Sequence, residues 1–160
     1  MKVPLPGLDA IDLRILRCLQ DNARITSPEL AQHVGLSPSP CWRRVKSLEK
    51  AKVIQRYVTL LDAEALGLSI NVFVFVTFEK QIASSLETFR RAVRKRPEVM
   101  ECYLMTGDFD FLLRVAVSTL NSYEHFLVDY LHRIPGIAAI RSSFALKQLK
   151  HTTALPIEEI

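Results

Sequence analysis

Residues 37–54 read SPSPCWRRVKSLEKAKVI. Proline inside a helix removes a donor and clashes with the preceding turn, yet Cys41, Val45 and Leu48 recur here at helical spacing. The first N–H groups of a helix have no intrahelical acceptor, so Pro38 directly after Ser37 costs little, and Pro40 falls in the same turn. The stretch therefore predicts a helix that the prolines start rather than break. Advancing about 100° per residue from Cys41 brings Val45 and Leu48 to within about 40° of it. Ser39, Arg43, Lys46 and Lys50 fall on the opposite side, with Trp42 on a flank. The inner face is apolar and the outer face is basic.

Upstream, Ser27-Pro28-Glu29 repeats the same start signal, with Ser27 expected as the cap. Leu30, Ala31 and Val34 give that helix an inner face, and Gly35 suits the left-handed position that stops it. Before it, Asp9 precedes Ile11, Ile15, Cys18 and Leu19, one face of a first helix ended by Asp21-Asn22-Ala23-Arg24. Three helices in about 45 residues, the last two joined by a Gly-containing turn, predict a helix-turn-helix whose final helix enters the major groove of double-stranded DNA. Ser37, Ser39, Trp42 and Arg43 are candidate DNA contacts. So are Lys46 and Lys50, with Arg44 reaching phosphate from the helix edge. From Arg43 to Arg56 six basic residues stand against Glu49 alone.

Charge follows the same division. Residues 1–61 hold ten Lys and Arg against five Asp and Glu, whereas residues 62–160 hold eleven against twelve. A basic head, 1–61, on a near-neutral body, 62–160, fits a polyanion-binding module with a separate second domain. Residues 54–61 (IQRYVTLL) read as a short hinge strand, followed by the turn DAEALG.

In the body, LSINVFVFVTFEK reads as a strand, and Leu86, Phe89 and Val93 as a helix ended by Pro97. VMECYLMT and FLLRVAVS are two strands joined by a tight turn at Gly107-Asp108. Ser118 is expected to start a helix with Leu120, Tyr123, Leu127, Tyr130 and Ile134 inward, closed by Pro135-Gly136. IAAIRSSFALKQLK reads as a long last strand. The order is βαββαβ, an α+β ferredoxin-like sheet with helices on one face. Its second face, carrying Phe73 or Phe75, predicts a protein interface and hence a homodimer, which would also present two heads to palindromic DNA.

The remaining composition excludes more than it suggests. Three cysteines and four histidines, all dispersed, form neither a disulfide framework nor a metal pattern, so no metal or cofactor is expected. No Gly-rich phosphate loop, paired carboxylates or nucleophile beside a His points to an enzyme of the acylphosphatase type. No apolar run approaches the ~20 residues that span a bilayer, and MKVPLPGLDAIDL lacks a signal peptide's apolar region, so a cytoplasmic location is expected. A nonspecific architectural DNA binder is the nearest competing reading.

Four segments in order, LDAIDLRILRCLQDNAR, SPELAQHVGLSPSPCWRRVKSLEKAKVI, TGDFDFLLRV and SSFALKQLKHTTALP, resemble the Lrp/AsnC (feast/famine) family of transcriptional regulators. One departure stands out: Ala51-Lys52 replaces the acidic-Gly pair of many relatives. The resemblance implies a winged head, a hinge strand and an effector-sensing body, assembled as dimers that join into tetramers or octamers. It also implies an amino-acid effector near the turn Met105-Thr106-Gly107-Asp108-Phe109-Asp110. There the backbone at Gly107 can approach a carboxylate, Asp108 or Asp110 can accept from an ammonium group, and Thr106 can do both. Met105 would line the same site. A plain hairpin, with the Asp side chains capping its turn, is the alternative.

Overall fold

The computed structural model describes residues 7–79 and 83–157. The chain divides into two compact units, a head that runs up to Leu60 and takes in the tail from Lys150, and a body of Leu61–Leu149.

Three helices build the head: α1 (Ala10–Asp21), α2 (Ser27–Val34) and α3 (Pro38–Lys50). Asp9 caps α1 by accepting from the backbone of Ile11 and Asp12, while Asp12 reaches back to the N–H of Asp9. For α2 the cap is Thr26, one residue before the expected Ser27. Thr26 and Glu29 form a reciprocal capping box, which satisfies two orphan donors where a Ser27 cap would satisfy one. Gly35 ends α2 at φ 72°, the left-handed conformation read from the sequence. Ser37 precedes α3 in extended conformation but makes no side-chain cap bond; with prolines at 38 and 40, the first turn has fewer N–H groups to satisfy. Ile15, Leu30, Ala31, Val34, Cys41 and Leu48 form the core of the head. At the end of α3, Lys52 takes φ 61°, the left-handed conformation, at the position where the family pattern has Gly.

The strand expected over residues 54–61 is not formed. These residues join no ladder, and Tyr57, Val58, Leu60 and Leu61 are exposed. Alternation alone does not make a strand where no neighbour supplies the ladder bonds. The turn after it forms as read: Asp62 accepts from Glu64 and Ala65, and Gly67 closes it at φ 74°.

The body is one antiparallel sheet of β1 (Ile70–Phe78), β2 (Val99–Leu104), β3 (Phe111–Val117) and β4 (Ile137–Phe144), in the order β2-β3-β1-β4. Val72, Val74, Val76 and Phe78 alternate with Phe111, Leu113, Val115 and Val117 on the face that packs against helices. Phe89 of α4 (Ala83–Val93) lies 4.5 Å from Phe111 and 5.5 Å from Phe78, ring centroid to centroid. Phe73 and Phe75 share the opposite face, half-buried.

Two expectations for the body change in detail. The helix after β3 starts from Thr119, not Ser118, because Thr119 accepts from the N–H of Ser122. That helix, α5 (Leu120–His125), passes into a π-helical turn at Phe126–Tyr130 and a 3-10 turn at Leu131–Arg133. Phe126 follows buried Tyr123 at helical spacing, and the extra residue of the π turn then brings Leu131, five beyond it, to the inner face. Leu120, expected inward, is 63% exposed at the first turn. The last strand ends at Phe144, well short of Lys150. Ala145 makes one further bond to the carbonyl of Asn71, the first position of β1 after Ile70, and there is no more β1 to pair with.

Candidate functional site

In the head, the outer face of α3 is built as the helical spacing requires. Ser37, Ser39, Trp42, Arg43, Lys46 and Lys50 are all exposed, while Cys41 and Leu48 anchor the opposite side. Trp42, at 53% exposure, is an aromatic side chain held outside the core. It lines a hollow of about 440 Å³ with Ser27, Pro38, Ser39 and Arg43, at the N-terminal ends of α2 and α3. Pro28, Pro38 and Pro40 leave few N–H groups at these ends, so the positive charge beside the hollow comes from Arg43.

The remaining basic residues of α3 are not equivalent. Arg44 donates to Asp9 at 2.7 Å and to Asp12 at 2.8 Å, tying α3 to the start of α1. These carboxylates push the Arg44 pKa up. The N–H of Asp12, and then Arg44, hold the Asp9 carboxyl below its ordinary value. Arg44 is thus engaged in holding the head together. Lys46 donates to Glu49 at 2.7 Å and stands 5.9 Å from the centre of the Trp42 ring. Glu49 also accepts from the Tyr57 hydroxyl at 3.1 Å, and these two bonds, from Lys46 first, lower its pKa. Sequence reasoning counted Glu49 only as an isolated minus charge; its spacing of three from Lys46 was the available signal.

In the body, the turn Met105–Asp110 forms the tip of the β2–β3 hairpin. Met105, Thr106, Gly107 and Asp108 are exposed, and Gly107 takes φ 108°, which favours glycine. Asp110 differs: it is 9% exposed, and its Oδ2 accepts from the Phe78 N–H at 2.6 Å. Its own N–H donates to the Val76 carbonyl, and its carbonyl accepts from Met105. Beside the turn lies a cleft of about 440 Å³ lined by Phe75, Thr77, Asp108, Phe109, Ile140 and Arg141, with Ala139 behind. Phe109 packs on Phe75 at 4.8 Å and carries the Arg141 guanidinium over its ring at 5.2 Å. Phe109 belongs to the turn named from the sequence, whereas Arg141 was not singled out. Only the β1–β4 register, which sets Arg141 opposite Phe75, brings Arg141 to the turn.

Among the described residues no group of three or more His, Cys, Asp and Glu could hold a metal, and no helix is long and apolar enough to cross a membrane.

Both units match known families. Residues 8–55 match a winged helix-turn-helix DNA-binding domain, and residues 71–155 match the Lrp/AsnC ligand binding domain. The chain belongs to the Lrp/AsnC family. It is a DNA-binding transcriptional regulator, with DNA binding in the head and ligand binding in the body. It is 47% identical over 150 residues to the Bkd operon transcriptional regulator of Pseudomonas aeruginosa, covering 94% of this chain and 98% of the relative. To the leucine-responsive regulatory protein of Escherichia coli it is 40% identical over 157 residues, 98% of this chain and 96% of that one. The fold matches a transcriptional regulator from Neisseria meningitidis in complex with L-Met at a TM-score of 0.88 and 42% identity, covering 93% and 96% of the two chains. An AsnC family regulator from Agrobacterium tumefaciens matches equally well, with a TM-score of 0.88, 40% identity and 93% and 97% coverage.

Proposed function

We propose that this Lrp/AsnC regulator is a cytoplasmic homo-oligomer that reads a pseudo-palindromic operator with α3 and is modulated by a free amino acid bound in the body. The expected boundary at 61/62 is amended at the tail: residues up to Leu60 together with those from Lys150 make up the DNA-binding domain, and Leu61–Leu149 the effector and oligomerisation domain. The observation that carries the reading is the exposed face of α3. Arg43 reads a base edge there, Ser37, Ser39 and Lys50 contact phosphate, and Trp42 packs against the groove wall. Arg44 positions α3 on α1, and Lys46 reaches DNA by exchanging Glu49 for a phosphate.

The effector occupies the cleft beside the hairpin tip. Arg141 and the backbone around Gly107 receive its carboxylate, and Asp108 and Thr106 its ammonium group. Met105 borders the site, and Asp110 holds the turn in shape. The relative solved with L-Met supports an amino acid as the ligand class. Phe73 and Phe75 on the open sheet face support a dimer. Ligand binding that differs between assemblies would then alter DNA affinity.

The test joins two measurements on the wild-type protein. Selection from random duplexes followed by footprinting should yield a two-fold symmetric site. Thermal-shift screening of the twenty amino acids should raise the melting temperature for at least one of them. Recovery of no preferred sequence, with binding that falls steeply with salt, would leave a nonspecific architectural protein instead.

A further inference from the structure

The body's near-neutral total hides a local concentration of charge. Residues 90–97 read RRAVRKRP, at the end of α4. The helical path continues past Val93, since Arg94 bonds back to the carbonyl of Arg90 and Lys95 to that of Ala92. Arg90 and Arg94 are therefore neighbours on one side, as are Arg91 and Lys95. All four are exposed. Among the described residues Arg90 has only Glu87 as a carboxylate in reach, at 4.0 Å, and Arg91, Arg94 and Lys95 have none within ion-pairing distance. Arg96 is different: it pairs with Glu98 and lies over the Tyr130 ring at 4.4 Å.

Cations near a helix C-terminus complement its dipole, but that benefit is confined to the last turn and is met by one or two of them. Like charges four residues apart oppose helix formation, and this segment holds two such pairs. Four forked or pointed donors, mutually repelling and with only Arg90 near a carboxylate among the described residues, suit a polyanion. At about 1.5 Å per residue the segment from Arg90 to Lys95 spans about 7.5 Å. One DNA strand offers a phosphate about every 3.4 Å of axis, so two successive phosphates fit within that span. A second copy of the same patch would be repelled, which disfavours a symmetric contact through it.

We infer that the end of α4 is a second DNA-contact surface, gripping the phosphate backbone of duplex flanking the bases read by α3. This rests on the proposed reading of the chain as an operator-binding protein. The contact is sequence-independent, because guanidinium and ammonium groups on phosphates carry no base information. It would lengthen the protected DNA and steepen the salt dependence.

The experiment compares two duplexes recovered with the wild-type protein. One is trimmed to the selected core. The other carries the same core with flanks of about three helical turns, at about 10.5 base pairs each. Binding is measured against salt for wild type and for the triple variant Arg91→Gln, Arg94→Gln, Lys95→Gln, which keeps good helix formers at each position. For wild type the long duplex should show the steeper dependence. The variant should lose about two units of log–log slope on the long duplex, at about 0.9 for each of the two phosphates, and none on the core. Unchanged core binding also shows that the variant is folded. Equal slopes for both proteins on the long duplex would overturn the inference, as would a loss of the same size on the core. Failure of the wild type to bind even the core would instead refute the operator-binding reading on which the inference stands.

Discussion

The Oδ2 of Asp110 accepts the backbone N–H of Phe78 at 2.6 Å, two residues beyond Val76, where the β1–β3 ladder ends with the pair Val76–Phe111. A carboxylate thus continues the ladder where the partner strand has turned away, and it fixes the hairpin tip against β1. Asp110→Ala should destabilise the body by about 1–3 kcal/mol, the cost of a buried donor left without an acceptor. Urea unfolding followed by near-ultraviolet circular dichroism would read this directly. A midpoint equal to wild type would remove Asp110 from any structural role.

Freeing Lys46 should strengthen DNA binding. In the unbound protein its ammonium group is held by Glu49 at 2.7 Å. Glu49→Gln removes that competitor and one negative charge from the interface. Operator affinity should rise, and the salt slope should steepen by up to about 0.9, the release expected for one added phosphate contact. By contrast Arg43→Ala should weaken binding by about 1–3 kcal/mol and relax the preference at one base position. Competition with single-base operator variants separates the two effects.

Acid should loosen the head through its caps. Asp9 and Glu29 both have carboxyl pKa values lowered in the folded state: Asp9 by the N–H of Asp12 and then Arg44, Glu29 by the hydroxyl and N–H of Thr26. A depressed folded value means stability that is present above the unfolded pKa and lost as pH falls through the folded one. The loss should therefore set in below the ordinary values of 3.8 and 4.5. The variant Asp9→Asn, Glu29→Gln keeps hydrogen-bonding side chains without the titration, so its melting temperature should fall less steeply over that range. Parallel curves for variant and wild type would assign the acid transition elsewhere.

Lys52 holds a conformation that costs an L-residue about 1–2 kcal/mol. Glycine there would relieve it, offset in part by the greater freedom of the unfolded chain. Lys52→Gly should stabilise the head by about 0.5–1 kcal/mol, visible as a higher thermal midpoint. A lower midpoint would show that the lysine side chain contributes more than its backbone costs.

The open sheet face can be probed with a single charge. Phe75 lies opposite Leu112 and Arg141 in the sheet and packs on Phe109. Phe75→Lys should drive a dimer to monomer in analytical ultracentrifugation and weaken operator binding, because tethered heads act at high effective concentration. A wild-type protein that sediments as a monomer at micromolar concentration would sink the proposed assembly.

Local chemistry was legible in the sequence, and long-range pairing was not. The starts of α1 and α3, the left-handed Gly35 and the βαββαβ order follow from caps, prolines and periodicity, which act within a few residues. Thr26, not Ser27, caps α2 because the reciprocal bond from Glu29, not proximity to the proline, decides the cap. The π turn after His125 brings Leu131 inward by one inserted residue, which a search at 3.6 spacing cannot anticipate. The outer residues of α3 were visible as a face, but the pairing of Arg44 with Asp9 joins positions 35 apart. Arg141 came to the cleft only through strand register.

The C-terminal tail bears on how such regulators can be recombined. Arg17 donates to the carbonyl of Ile157 at 2.9 Å, and the Gln20 side chain exchanges two hydrogen bonds with Leu155, so α1 is bound to residues more than 130 positions away. The head is therefore not a contiguous cassette. A chimera that grafts residues 1–61 onto another regulator's body would set Arg17 and Gln20 against a foreign tail. The transplantable unit is the head together with its own residues from 150 onward, and a fusion partner appended to the C-terminus would be attached to the DNA-reading half of the molecule.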